Sequence, residues 1–355
     1  MLHFIMNKDI PVICIEKAKV LNETMCPNAL KLNNLTFQKI YKWLIHRAIP
    51  LNRKNSEKIY MSINLSRDNQ ELELLYITHG LSINDNFWIA NESEIDNIKY
   101  RDISIFNNSF NESMYMVALR GDDVFTITDK DISPEYTGQG TFPKCFVRES
   151  DGIYLYKSGT QIDIKNEIYA GYIAEVLGAK TVHYDFVNFN SVPCTKSKIY
   201  TNESINWETA FILSELMSEY KLTPQQYAQN QFCIDYSNMV ILDGIILNAD
   251  RHMKNWSLQF DSNSNICTGL APNYDYNNAF KANSKTYGTL IFDDNGKKVN
   301  VLKAARLAYY KYGTTLRLQY LYEIIDSIDI PINKQALKNR ILYITGQKDT
   351  QRDCY

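Results

Sequence analysis

The sequence predicts a two-lobed α+β fold, with a mixed α/β N-terminal lobe and a mainly α-helical C-terminal lobe. Two changes of texture predict it. From about residue 114 to about 205, short β-rich runs bounded by turn residues alternate with one long helical pattern. From residue 206 onward nearly every segment carries helical spacing. The expected division is therefore 1–205 and 206–355, with a divergent N-terminal subdomain over about 1–113. A chain of 355 residues with 45% hydrophobic and 22% charged residues can bury one or two sizeable cores and does not read as disordered.

Taken in order, LTFQKIYKWLIHRAI (35–49) has apolar residues at helical spacing, and Pro50 closes it. Gly80 marks a turn before GLSINDNFWI, where Phe87 and Trp88 read as core. MYMVALRG (114–121) and VFTIT (124–128) read as strands. CFVRESDGIYLYKSG reads as a hairpin turning at SDG, and NEIYAGYIAEVLGAK as a helix capped by Gly178. TVHYDFVNF and CTKSKIYT add two strands. NWETAFILSELMSEY, TPQQYAQNQFCIDYSNMVILDGIIL, NVLKAARLAYYKY, TTLRLQYLYEIIDSI and NKQALKNRILYIT read as helices. The hairpin WSLQFDSNSNICTGLA interrupts them.

Composition excludes several classes. A net charge of −2 supplies no global basic field, so no direct nucleic-acid binding is expected. Seven scattered cysteines, with no Cys-x-x-Cys pair, argue against a disulfide scaffold or zinc ribbon. MVILDGIIL is too short to span a membrane and carries Asp243. With no signal-like N-terminus, a reduced, cytoplasmic setting is the expectation.

The chemistry gathers in NADRHMKN (248–255). Asp250 and Asn255 form Asp-x-x-x-x-Asn, the spacing with which protein kinases orient an attacking hydroxyl and bind a metal ion. Asp275, beyond the next hairpin, stands where a second metal-binding carboxylate belongs, so Asn255 and Asp275 suit Mg²⁺. Gly138 and Gly140, ahead of a strand-turn-strand, suit a loop over phosphates, with Lys144 adding charge. Lys157 on a strand and Glu167 on the following helix match the pair that holds the α- and β-phosphates of ATP. Singly, each has a bland reading: a turn Gly, a turn Asp, a surface ion pair. Together they fall in the order that phosphoryl transfer requires.

LDGIILNADRHMKNWSL, with APNYD downstream, resembles the C-terminal lobe of HipA-like serine/threonine kinases, a bacterial family of toxin-type kinases. TGQGTFPK, IYLYKSG and NEIYAGYIAEVLG resemble its ATP-binding lobe, and GLSINDNFWI is similar to a segment of one branch. The resemblance covers about 80–300. It implies ATP and Mg²⁺ as cofactors, a protein substrate and an antitoxin partner. It makes Asp250 catalytic, has His252 brace the loop, and sets Gly138, Gln139, Gly140, Thr141, Lys144, Lys157 and Glu167 around the nucleotide. It also implies Thr137, with Thr141 beside it, as an autophosphorylation site. Lys254 is open to a role at the transferred phosphate, and Arg251 to a structural one. Two features depart from the pattern: DYN follows where protein kinases have Asp-Phe-Gly, and TGQGTF differs from the family's better-known loop. DRHMKN is also similar to the loop of phosphoinositide kinases, so a lipid or small-molecule kinase is the alternative, and an inactive ATP-binding module a third reading.

Overall fold

The computed structural model describes residues 1–65, 71–123, 133–248, 250–281, 299–312, 316–351 and 354. The chain opens with β1 (His3–Asn7), β2 (Ile10–Cys14) and β3 (Lys19–Val20). The first expected helix is α1 (Phe37–Ile45). The Thr36 hydroxyl accepts the Lys39 N–H to start it, and Ile40, Trp43 and Leu44 are its buried stripe. Next come α2 (Ser56–Met61) and α3 (Glu71–Ile77), then a turn at Gly80 (φ +56°), β4 (Phe87–Asn91) and the single turn α4 (Tyr100–Ile103).

The run MYMVALRG is not a strand. It forms α5 (Ser113–Arg120), because Met114, Val117 and Ala118 bury one face at spacings of three and four. Gly121 then takes φ +78° and donates its N–H to the Met116 and Val117 carbonyls, which closes the helix. Tertiary burial outweighs the β propensity of Tyr and Val. VFTIT lies outside the described residues.

The expected hairpin is β5 (Lys144–Glu149) and β6 (Gly152–Ser158), in antiparallel register from Lys144 opposite Lys157 to Glu149 opposite Gly152. It leads to α6 (Gln161–Leu177). Thr160 and Asp163 form a reciprocal capping box at its start, and Gly178 (φ +74°) ends it. β7 (Asp185–Phe189) and β8 (Val192–Lys198) follow. NWET, expected to be helical, belongs to β9 (Ile205–Thr209), and α7 (Ala210–Glu219) begins only after it. The next long pattern breaks at Phe232 into α8 (Pro224–Gln231) and α9 (Cys233–Ile246). The last hairpin is β10 (Ser257–Asp261) and β11 (Cys267–Leu270), and α10 (Val301–Tyr312), α11 (Leu318–Ser327) and α12 (Lys334–Ile344) complete the chain. The sheets run β3-β2-β1-β4, β5-β6-β8-β7 and β11-β10-β9.

Two compact units result, and both are discontinuous in sequence. The first holds Met1–Gly159, Val187–Glu208 and Gln259–Thr268; the second holds Thr160–Phe186, Thr209–Leu258 and Gly269–Tyr355. The chain thus divides at 208/209, near the expected 205/206, and at four further points. In particular, α6 belongs to the second unit. In the first unit, Trp88 packs with Met6, Ala90 and Tyr100. Arg47 bonds Asp85 at 2.6 Å inside the same unit and also donates to the Gly80 and Phe87 carbonyls, so GLSINDNFW is a structural knot. In the second unit α9 is the central helix. Gly244 lets α10 approach, since a Cβ there would lie 2.3 Å from that of Ala305. All seven cysteines are free thiols. Burial pushes those of Cys26 and Cys194 up to about 12.

Gly121→Ala tests the reassigned helix. Its Cβ would meet the Asn55 side chain at 2.8 Å in a left-handed backbone, so urea denaturation should show a loss of more than about 1 kcal/mol.

Candidate active site

From Tyr236 to Ile246 every residue of α9 is buried. The helix stops at Leu247, which takes φ +46° and donates its N–H to the Asp243 carbonyl. A left-handed Leu costs about 1–3 kcal/mol, and such strain persists where the surroundings impose it. The surroundings here are polar. The buried Asn248 donates its N–H to the Asp243 carbonyl and its side-chain amide to Asp243 Oδ1, both at 3.0 Å. Its own Oδ1 accepts the Asp250 N–H at 3.1 Å.

Arg251 is the hub. Its Nε lies 3.2 Å from Asp243 Oδ2, and its Nη2 3.2 Å from Asp243 Oδ1. Its Nη1 donates to the carbonyl of Asn255 at 2.6 Å and to that of Tyr274 at 2.9 Å. Neither side chain of the Arg251–Asp243 pair is exposed. Burial by itself would lower the Arg251 pKa, but the Asp243 charge and the Tyr276 and Tyr274 phenols turn the shift upward. One guanidinium nitrogen therefore holds the backbone of Asn255 and the backbone just before Asp275.

Asn255 is buried, and its Nδ2 donates to the Asp250 carbonyl at 2.8 Å. Its Oδ1 has no hydrogen-bond donor among the described residues. Asp250 itself is partly open, with 37% of its side chain exposed. Asp275 sits at φ +64° and donates its N–H to the Tyr184 hydroxyl at 3.1 Å. Burial first, and the Glu167 charge second, hold the Tyr184 phenol well above its ordinary pKa, so it stays a neutral hydroxyl. Among the described residues no three His, Cys, Asp or Glu side chains are grouped so that they could hold a metal ion. The oxygen donors at hand are the Asn255 amide and the Asp275 carboxylate.

His252 does not turn back into the core. Its side chain is 54% exposed, its Nδ1 accepts the Lys254 N–H at 3.2 Å, and its Nε2 lies 3.7 Å from Asp250 Oδ1. The brace of the loop is Arg251. The exposed Lys254 lays its ammonium over the Phe211 ring, 4.8 Å from the centroid.

In the first unit the glycine loop has its own hub. The buried Arg53 donates to the carbonyls of Glu135, Gly138 and Lys144 at 3.2, 3.0 and 2.6 Å. Burial lowers its pKa to about 10, opposed by the Glu135 charge, so it stays cationic at neutral pH. Lys144 donates to the Gln139 carbonyl, and a Cβ on Gly140 (φ +91°) would lie 2.6 Å from the Lys144 Nζ. The left-handed backbone there favours glycine. Gln139, Gly140 and Thr141 form its exposed tip. Thr137 is 3% exposed and donates its hydroxyl to the Leu81 carbonyl. Its hydroxyl would become reactive only if the loop left this seat. Lys157 is buried on β6 with its ammonium 5.1 Å from the centroid of the Phe142 ring. Glu167 is buried on α6, in the other unit.

Sequence reasoning missed Asn278, whose Nδ2 donates to Asp250 Oδ2 at 2.9 Å, and Tyr184 beneath Asp275. One signal was available for the hub: an Asp in an oily helix needs a cation, and Arg251, eight residues on, is near in sequence.

No protein-family model and no curated protein sequence matches the chain. Among solved structures, the chain is similar to CtkA, a proinflammatory kinase of Helicobacter pylori, over 57% of this chain and 90% of that one. The identity is 19% and the TM-score 0.43. It is also similar to a chain of the Shewanella oneidensis MR-1 toxin–antitoxin complex of HipA, HipB and operator DNA. That likeness covers 92% of this chain and 90% of that one, at 14% identity and a TM-score of 0.48. Both scores lie below 0.5, so what the chain can do is decided by its own residues.

Arg251→Ala leaves Asp243 buried without its cation. Chemical denaturation should show a loss of about 3–5 kcal/mol, far more than the surface variant Lys198→Ala, whose partner Asp151 is exposed.

Proposed function

We propose that the chain is an ATP- and Mg²⁺-dependent serine/threonine protein kinase of the HipA-like type. The observation that carries this reading is the pair of hydrogen bonds that Arg251 Nη1 donates to the Asn255 and Tyr274 carbonyls. It ties a loop carrying a half-open carboxylate and an oriented amide to the turn that carries a second carboxylate. Separately, these are ordinary loop residues. Held together they form the donor set of a phosphoryl-transfer site.

In this reading Asp250 orients the acceptor hydroxyl and takes its proton as the hydroxyl oxygen bonds to the γ-phosphorus. The bond from that phosphorus to the β,γ-bridging oxygen breaks, and ADP leaves with the electron pair. The Asn255 Oδ1 and the Asp275 carboxylate would hold Mg²⁺, whose chemistry when bound is to neutralise phosphate charge. One carboxylate and one amide fit that ion, which completes its shell with phosphate and water. Lys157 and the tip Gln139–Gly140–Thr141 supply nucleotide contacts. Lys144, bonded to the Gln139 carbonyl, shapes the loop from within. The sequence resemblance alone supports autophosphorylation at Thr137 or Thr141 and an antitoxin-type partner. The net charge of −2 supports no direct nucleic-acid contact, and no described helix is long and apolar enough to cross a membrane.

The test incubates the purified chain with Mg²⁺ and labelled ATP and maps phosphosites by mass spectrometry. Asp250→Asn should lower incorporation about 10²- to 10⁴-fold with the melting temperature unchanged. Unaltered incorporation would sink the assignment. Asn255→Ala and Asp275→Ala should each raise the Mg²⁺ concentration needed for half-maximal rate.

A further inference from the structure

Asp250 is not held by its backbone alone. Asn278 lies 28 residues downstream, beyond the Asp275 turn, and donates Nδ2–H to Asp250 Oδ2 at 2.9 Å. An amide can present either end to a carboxylate, and only the NH₂ end is attractive. A neighbour selects that end: Lys281 Nζ points at Asn278 Oδ1 from 3.4 Å. Lys281 is in turn anchored at 2.7 Å to Asp163 Oδ1. The other oxygen of Asp163 is bound into the capping box of α6, accepting the Thr160 N–H at 3.0 Å and its hydroxyl at 2.7 Å. The result is a directed line from the N-terminus of α6 through Asp163, Lys281 and Asn278 to one oxygen of Asp250.

We propose that Asn278 is a positioning residue for the acceptor-activating carboxylate, with its amide oriented by Lys281 and Asp163. By occupying Oδ2 it fixes the carboxylate plane and turns Oδ1 to the acceptor. His252 Nε2, at 3.7 Å from Oδ1, stands off beyond hydrogen-bond distance. The inference rests on the kinase reading of Asp250 and adds to it a reason why that carboxylate has one orientation. A second tie carries the same geometry: Asn166, on the buried face of α6, donates Nδ2–H to the Asn277 carbonyl at 3.0 Å. The helix therefore holds the backbone beside Asn278 as well as its amide.

The experiment uses the full chain with Mg²⁺-ATP as probe, reads ADP release, and compares Asn278→Ala, Asn278→Asp and Lys281→Met. Asn278→Ala should lower kcat about 10- to 100-fold and leave KM for ATP within about twofold, as expected for a misplaced reacting group. Asn278→Asp, which sets a second carboxylate against Asp250, should fall below the Ala variant at equal melting temperature. Lys281→Met replaces a half-exposed side chain, keeps Asn278, and carries the test if Asn278→Ala does not fold. It should lose roughly three- to tenfold in kcat, because the amide is no longer held one way round. A kcat within about twofold of the unaltered chain in the folded variants overturns the proposal, as does a loss confined to KM or one that tracks the melting temperature. An unaltered chain that releases no ADP overturns the kinase reading together with it. Release by the unaltered chain, with Asn278 variants equally fast, overturns the positioning role alone.

Discussion

The buried pair of Arg251 and Asp243 is the contact on which the candidate site depends. Removing two charges from water costs several kcal/mol each, and Coulomb attraction compensates only when every remaining donor is used. Arg251 engages all three of its nitrogens. Two of its nitrogens face the carboxylate and the third takes two backbone carbonyls. A Lys could not replace it, because a single ammonium cannot present a planar fork to a carboxylate and to two carbonyls at once. The oily end of α9, the polar loop after it and the turn at Asp275 are distant needs met by one side chain.

Arg53 repeats the device in the other unit, with a difference. It too is a buried guanidinium that gathers carbonyls, here those of Glu135, Gly138 and Lys144. Among the described residues no carboxylate contacts it as Asp243 contacts Arg251, and the two pKa values move in opposite directions for that reason. Both loops proposed to meet the nucleotide are thus shaped by backbone oxygens converging on buried cations. In the first unit's loop glycine answers two needs: a Cβ on Gly138 would lie 2.9 Å from Arg53 Nη1, and Gly140 takes φ +91°.

What the sequence revealed and what it concealed follow from how local each feature is. The β5–β6 hairpin and α6 with its cap are set by neighbours within about four positions, so spacing exposed them. The segment 114–121 was misread because Tyr and Val favour strands, whereas burial of Met114, Val117 and Ala118 favours a helix. Asn206–Thr209 was misread because Glu208 is held from far away, accepting the N–H groups of Asn28 and Ala29. His252 was expected to brace the loop from the resemblance alone, yet its neighbour Arg251 took the interior. Asn278 was invisible, since nothing within its own segment distinguishes an amide aimed at a carboxylate 28 residues earlier.

The interleaving of the two units bears on how the chain reaches its native state. The first unit takes its last piece from Gln259–Thr268. On a ribosome, no complete first unit can exist until residue 268 has emerged, and by then most of α9 and its loop must already be accommodated. Non-local closure of this kind is slow and leaves apolar surface waiting for partners. Cutting the chain at 205/206 would yield two fragments, each missing segments that its unit needs. Synthesis therefore treats the two units as inseparable.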